Sequence, residues 1–255
     1  MVDIPLTVII PNRDRIDPNS KLTQFQMQSF VHQTVKDFKL IVIDGGSKNV
    51  EDLKAYFASI EFPKTTFIEH KIVGKWHKTL LNNMAIRKAD TPHIMTTDAD
   101  IFFAPKFFGR ILPLLDPNKF IESRTMYWAG GIIKEIYDGV KNPFKDIDAC
   151  KIGRIKKRTT PGACQCASKI LWEKVRGYDE RYLGWGSEDV DLWRRMCLVS
   201  KSVWVGESME DIMLFHQPHD KFDPVEDMKD QYRNLNFYNN IKTHEANPDG
   251  WGGIN

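Results

Sequence analysis

The stretch LTVIIPNRDRIDPNSKLTQFQMQSFVHQTVKDFKLIVIDGGS, residues 6–47, reads as one strand–helix–strand unit. Residues 6–10 are a β-branched apolar run stopped by Pro11, the pattern of a strand buried on both faces that feeds a loop. Residues 21–35 follow with helical spacing, and residues 39–43 repeat the apolar run up to Asp44, Gly45, Gly46 and Ser47. Short apolar runs alternating with helix-period segments are the mark of βαβ units and a largely parallel sheet.

Outward from this unit the alternation continues. Residues 50–60 read as a helix, 66–68 as a short strand, and 79–89 as a helix with Leu80, Leu81, Met84 and Ala85 on one side. Residues 93–97 are a strand that runs into Asp98, Ala99 and Asp100, and Pro105 suits the first turn of a helix reaching Leu115. A helix is expected over 187–198 and strands over 202–205 and 212–215. Asp223, Pro224 and Glu226 form a capping-box variant that opens a last helix to Tyr238. The fold class is therefore α/β, a mixed, mainly parallel sheet flanked by helices. Between Trp128 and Gly162 the pattern gives way to Gly, Pro and Lys, which reads as a long loop of a length that commonly serves as a lid. The Pro/Gly-rich tail, 244–255, reads as mobile.

With 36 Lys plus Arg against 34 Asp plus Glu, the net charge of +2 creates no general field for nucleic acid or membrane. The basic run Lys151, Arg154, Lys156, Lys157, Arg158 reads as a solvated loop, with a loop that binds an anionic ligand as the alternative. Cys164 and Cys166 lack the second closely spaced ligand pair a structural zinc site needs, and as i and i+2 of a strand they read as packing residues. No apolar run approaches the ~20 residues of a membrane helix and no signal pattern opens the chain, so the sequence reads as that of a soluble cytoplasmic protein.

Several residues carry chemistry. Asp98 and Asp100 share a face if the backbone there is extended, and ligands of open α/β sheets bind beyond the carboxyl ends of strands. A diphosphate would be repelled by carboxylates alone, so the pair calls for Mg²⁺ or Mn²⁺ between them. His216 closes the run 212–215 and suits the same site, with His219 the competing candidate. Arg13 and Arg15, beyond the first strand, suit phosphate contacts, and Asp44, beyond the second, suits a base or ribose. In Gly184-Trp185-Gly186-Ser187-Glu188-Asp189-Val190-Asp191, two glycines present an indole beside three acids, with Ser187 expected as the helix N-cap. Aromatic faces pack on sugars, and a carboxylate beside one can deprotonate a hydroxyl.

Together these stretches, in order over roughly residues 6 to 220, resemble the β-1,4-galactosyltransferase family and, more loosely, the large inverting GT-A families. Pro11, Arg13 and Arg15 look like that family's nucleotide-binding turn; Leu80, Leu81 and Asn82 resemble its leucine-leucine-asparagine helix start; Asp98 and Asp100 match its metal-binding D-x-D. The 184–191 stretch resembles its Trp-Gly-Gly-Glu-Asp-Asp segment. The resemblance implies a GT-A glycosyltransferase with Trp185 and Gly186 at the acceptor, Asp189 as base and Glu188 beside it. Pro11, Arg13, Arg15, Asp44, Asn82 and Asp98 would then take the nucleotide-sugar donor, UDP-linked by preference. Asp98, Asp100, His216 and Met213 would hold Mn²⁺ or Mg²⁺, and the thioether would favour Mn²⁺. It further implies a donor half over 1–125, an acceptor and catalytic half over 126–243, and a tail. The family's membrane anchor and stem have no counterpart, which points to a microbial or viral enzyme. The acceptor class stays open: saccharide, glycolipid, protein or modified nucleic acid. Two alternatives remain at this stage, a sugar nucleotidyltransferase, which would carry a Gly-rich loop where Pro11 to Arg15 stand, and a carbohydrate- or nucleic-acid-binding module without turnover.

Overall fold

Leu6, Val8 and Ile10 of the first strand enter one apolar cluster while Ile9 enters another, so this strand is covered on both faces. The computed structural model describes residues 5–155, 162–219, 224–240 and 243–253. In chain order its first half runs β1 (Leu6–Asn12), α1 (Lys21–Val31), β2 (Phe38–Asp44), α2 (Val50–Ser59), β3 (Thr65–Glu69), α3 (Lys78–Lys88), β4 (His93–Thr96), β5 (Ile101–Phe103), α4 (Phe107–Ile111) and β6 (Lys119–Ser123). Then come β7 (Thr125–Trp128), α5 (Gly130–Tyr137), β8 (Gly153–Ile155), β9 (Gln165–Ser168), α6 (Lys169–Val175), α7 (Glu188–Val199), β10 (Lys201–Val205), β11 (Leu214–His216) and α8 (Pro224–Asn240).

Seven strands form one sheet in the order β10-β6-β9-β4-β1-β2-β3. Every neighbour pair is parallel except the two made by β9, which runs against β4 and β6. The expected mainly parallel α/β fold is what the chain adopts. Met27 and Phe30 of α1 and Leu53 and Phe57 of α2 cover one face. Leu81 and Ala85 of α3, Trp172 of α6 and Met196 of α7 cover the other. Four further strands make a smaller sheet, β5-β11-β7-β8. Its antiparallel pair β5–β11 sets His216 opposite Ile101, and Gln217 N donates to Asp100 O at 3.0 Å. That pairing brings the end of the D-x-D turn to the end of β11.

Three expectations need correction. The region 128–162 is not one long loop: it holds α5 and β8, with Ile132, Ile133 and Ile136 of α5 buried. Gly130 and Gly131, poor helix formers, open α5 and hid it, whereas burial of one apolar face decides helicity in a fold. Gly153 lets β8 lie close on β7, since a Cβ there would fall 2.0 Å from Tyr127 O. Of the basic run, Lys151 ion-pairs with Asp148 and Arg154 lies over the Tyr127 ring; Lys156, Lys157 and Arg158 lie outside the described residues. The tail is not loose where it is described. Ala246 and Trp251 are buried, Asn247 Nδ2 donates to Arg176 O and Tyr178 O, and Gly252 N donates to Glu180 Oε1. A buried indole anchors what Pro and Gly content alone would leave free. Ser187, finally, precedes α7 in a left-handed conformation and makes no side-chain cap, because the turn before it already runs through positive φ at Gly184 and Gly186. Asp223, the expected cap of α8, lies outside the described residues.

Candidate active site

The carboxyl ends of β1, β2 and β4 lie side by side, and the loops leaving them build the site. Asn12 ties the first two together: its Nδ2 donates to Asp44 Oδ1 at 2.7 Å and to Ser47 Oγ at 3.0 Å, and its Oδ1 accepts from Arg15 N and Ile16 N. Asp44 is fully buried, and its Oδ2 accepts from Gly46 N and Ser47 N. Asp44 thus shapes the floor of the crevice through bonds to its own loops. Arg13 donates to Gly74 O at 2.8 Å, and Arg15 reaches across to His219 Nδ1 at 2.8 Å. Asn82 of α3 is fully buried, and among the described residues neither its Oδ1 nor its Nδ2 has a hydrogen-bond partner.

The backbone turns at Ala99 and Asp100, so the two D-x-D carboxylates do not work as one pair. Asp100 faces the histidines: its Oδ2 is 2.8 Å from His219 Nε2 and 3.6 Å from His216 Nε2. Arginine can only donate, so Nδ1 of His219 accepts from Arg15 and its Nε2 carries the proton aimed at Asp100. Burial would raise the Asp100 pKa, but His216, His219 and Arg15 outweigh it and hold the carboxyl below its ordinary value. The ring of His216 stacks on Tyr127 at 4.5 Å. Ligand atoms of Asp100, His216 and His219 all lie within 4.8 Å of one another, a group that could hold a metal ion. Asp100 Oδ1 and His216 Nδ1 are buried without hydrogen-bond partners among the described residues. Met213, just before β11, packs against two apolar clusters.

Asp98 faces the other way. Its Oδ1 lies 2.8 Å from the Lys78 ammonium, which also lies 3.3 Å from Glu188 Oε1 and 3.3 Å from Asp189 Oδ2. Burial works to lower the Lys78 pKa, but attraction from Asp189, Asp98 and Glu188 prevails and holds it well above the usual value. Asp189 is also held from behind: Gln165 Nε2 donates to Asp189 O at 3.0 Å, and Tyr178 Oη donates to Gln165 Oε1 at 2.7 Å. Burial pushes the Tyr178 phenol well up, so it stays a donor. Asp191, third acid of the helix start, turns inward to Arg195 at 2.7 Å, both side chains fully buried. Trp185 is 47% exposed at the mouth, its carbonyl accepting from Asn234 Nδ2.

Most residues singled out in the sequence thus gather at one end of the sheet. Lys78 was missed, although one local anomaly marked it: a cation in the first turn of a helix opposes the helix dipole. His219, the competing candidate, makes the shorter contact to Asp100.

A family model described as glycosyl transferase family 2 matches residues 7–156, and a second, described as the N-terminal domain of galactosyltransferase, matches residues 153–216 and ends on His216. No curated protein matches the sequence. Among solved structures, S. aureus TarS 1-349 in complex with UDP-GlcNAc is similar at TM-score 0.61 and 11% identity, over 85% of this chain and 59% of that one. A mannosyltransferase from Pyrobaculum calidifontis in complex with GDP-Man and Mn²⁺ is similar at TM-score 0.53 and 15% identity, over 87% of this chain and 60% of that one. The chain therefore spans about three-fifths of the length of these two structures. At such identities they show the fold, that of the GT-A glycosyltransferases. Among the described residues no helix is long and apolar enough to cross a membrane. With a family model matched over residues 7–156, more than half its length, the chain belongs to glycosyl transferase family 2.

Proposed function

We propose that this chain is a metal-dependent, inverting glycosyltransferase that moves a sugar from a nucleoside diphosphate, UDP by preference, onto an acceptor hydroxyl. The observation that carries the reading is the side-by-side placement of two clusters: Asp100 with His216 and His219, and Asp189 with Glu188, joined by the short turn from Asp98 to Asp100. The first suits a divalent cation. One carboxylate and two imidazoles, with buried polar atoms left unpaired, make a donor set for a borderline ion such as Mn²⁺ rather than for Mg²⁺ alone. A cation there would offset charge on the departing diphosphate. Binding through His219 Nε2 would place the proton on Nδ1, so the hydrogen bond from Arg15 to that nitrogen would break.

The chain's own residues do the rest. Residues 1–125 supply the donor crevice, with Pro11, Arg13, Arg15 and Asn82 on its walls, and residues 126–243 supply the acceptor side. The large sheet takes strands from both parts. Trp185 and Gly186 seat the acceptor ring, and Asp189 accepts the proton of its hydroxyl. The hydroxyl oxygen forms a bond to the anomeric carbon from the face opposite the diphosphate. The bond from that carbon to the diphosphate oxygen breaks, and the nucleoside diphosphate leaves with its electron pair. Asp189 stands in the first turn of α7, where the helix dipole favours an anion, 3.3 Å from the Lys78 ammonium. TarS with UDP-GlcNAc and the mannosyltransferase with GDP-Man and Mn²⁺ support a nucleotide-sugar donor and a cation.

The experiment is a donor panel: UDP-glucose, UDP-galactose, UDP-GlcNAc and GDP-mannose, each with Mn²⁺ or with EDTA, read as released nucleotide. Release with one donor in Mn²⁺ and none in EDTA is expected. Equal release in EDTA would contradict the metal, and no release from any donor would contradict the reading.

A further inference from the structure

Lys78 is 13% exposed in its side chain and meets three carboxylates from three places in the sequence. Asp98 stands on the turn that also carries Asp100, whereas Glu188 and Asp189 open α7. Helix stability does not explain the residue, since the dipole disfavours a cation in the first turn of α3. Nor does local charge balance on its own element, because its partners all come from elsewhere. What the ammonium does is physical: three carboxylates within 3.4 Å of one point would otherwise repel, splay or take up a proton.

We propose that Lys78 is a positioning residue that links Asp98, on the donor side, to the Glu188–Asp189 pair, and so sets the distance between the base and the reacting end of the donor. The inference rests on the functional reading above. Lys78 pairs with Asp98, Glu188 and Asp189, whereas Asp100 faces His216 and His219, so loss of Lys78 should spare the cation and nucleotide site. It should damage instead the alignment of acceptor, base and anomeric carbon, where a misplacement of about 1 Å can cost roughly 10²-fold in rate.

Wild type, Lys78→Met and Lys78→Arg are compared by kcat and KM for the fastest donor of the panel, and by calorimetric titration of UDP in Mn²⁺. Lys78→Met should lose about 10²-fold in kcat while UDP–Mn²⁺ affinity stays within about twofold. Lys78→Arg keeps the charge but reshapes the contact, so its kcat should fall by about tenfold, between the other two. A Lys78→Met enzyme with wild-type kcat overturns the inference, as does a fall in UDP–Mn²⁺ affinity that matches the fall in kcat, which would make Lys78 a diphosphate contact. Should Lys78→Met fail to fold, Lys78→Arg decides: turnover equal to wild type overturns the inference, and reduced kcat at unchanged UDP affinity upholds it. A wild-type protein that turns over no donor removes the functional reading and this inference with it.

Discussion

Glu188, Asp189 and Asp191 stand within one helical turn, yet the structure sends them to different work. Asp191 and Arg195 are a fully buried ion pair, and Arg195 Nη1 also donates to Val175 O and Gly177 O. Removing one partner of such a pair strands the other charge, so Asp191→Asn should cost about 3–5 kcal/mol, read as a lower urea midpoint. Asp189→Asn should leave that midpoint in place and lower transfer by about 10²–10⁴ with donor affinity kept. If Glu188→Gln is dead while Asp189→Asn transfers normally, the base is misassigned by one residue. The acid cluster was legible because the acids are contiguous in sequence; their division of labour was not, since it depends on Lys78 from another helix and Arg195 one turn on. The D-x-D pair shows the same limit. Its shared face was expected from extended backbone, but the β5–β11 pairing turns the chain at Ala99 and Asp100 and separates the two carboxylates.

The turn from Gly184 to Ser187 and helix α8 hold each other in place. Gly184 has φ of +68°, and a Cβ there would fall 1.8 Å from Asp230 Oδ2 of α8. Asp230 in turn ion-pairs with Lys75 at 2.6 Å, and Asn234 Nδ2 donates to Leu183 O and Trp185 O. Gly184→Ala must therefore displace the Asp230 side chain and strain a turn at positive φ, which disturbs the support under Trp185. The expected outcome is a raised acceptor KM with little change in nucleotide release without acceptor, because the donor crevice lies elsewhere; unchanged acceptor kinetics would show that the turn does not position Trp185. Elements with a strong apolar period, such as β1, β2 and α3, were legible to within one or two residues. Of the short ones, β3, β10 and β11 were legible, whereas β5, β7 and β8 were not, and the strand read at Cys164 and Cys166 is β9, Gln165–Ser168, buried throughout and paired with β4 and β6.

Across the whole molecule, the central strands of the large sheet, β1, β4 and β9 among them, are buried, and this sets the chemistry of the thiols on β9 and beside it. Cys150, Cys164 and Cys166 are buried and Cys197 is exposed. Burial raises Cys164 well above its usual value and pushes Cys166 up to about 12, so neither forms a thiolate near neutral pH. The native protein should yield one thiol to Ellman's reagent at pH 8, and four in denaturant; fast reaction of two or more in the native state would contradict the described core. The alternation of runs made the mainly parallel sheet legible, while the second sheet escaped, because its short strands are paired from distant segments. That second sheet is what brings His216 to Asp100, and the proposed cation site is built on this junction. The most direct test is anomalous diffraction at the manganese edge from crystals grown with UDP and Mn²⁺. One strong peak is expected at coordination distance, roughly 2.0–2.3 Å, from Asp100, His216 and His219, with the UDP phosphates against it. A peak held by Asp98 without the histidines, or UDP bound with no manganese at this junction, would contradict it.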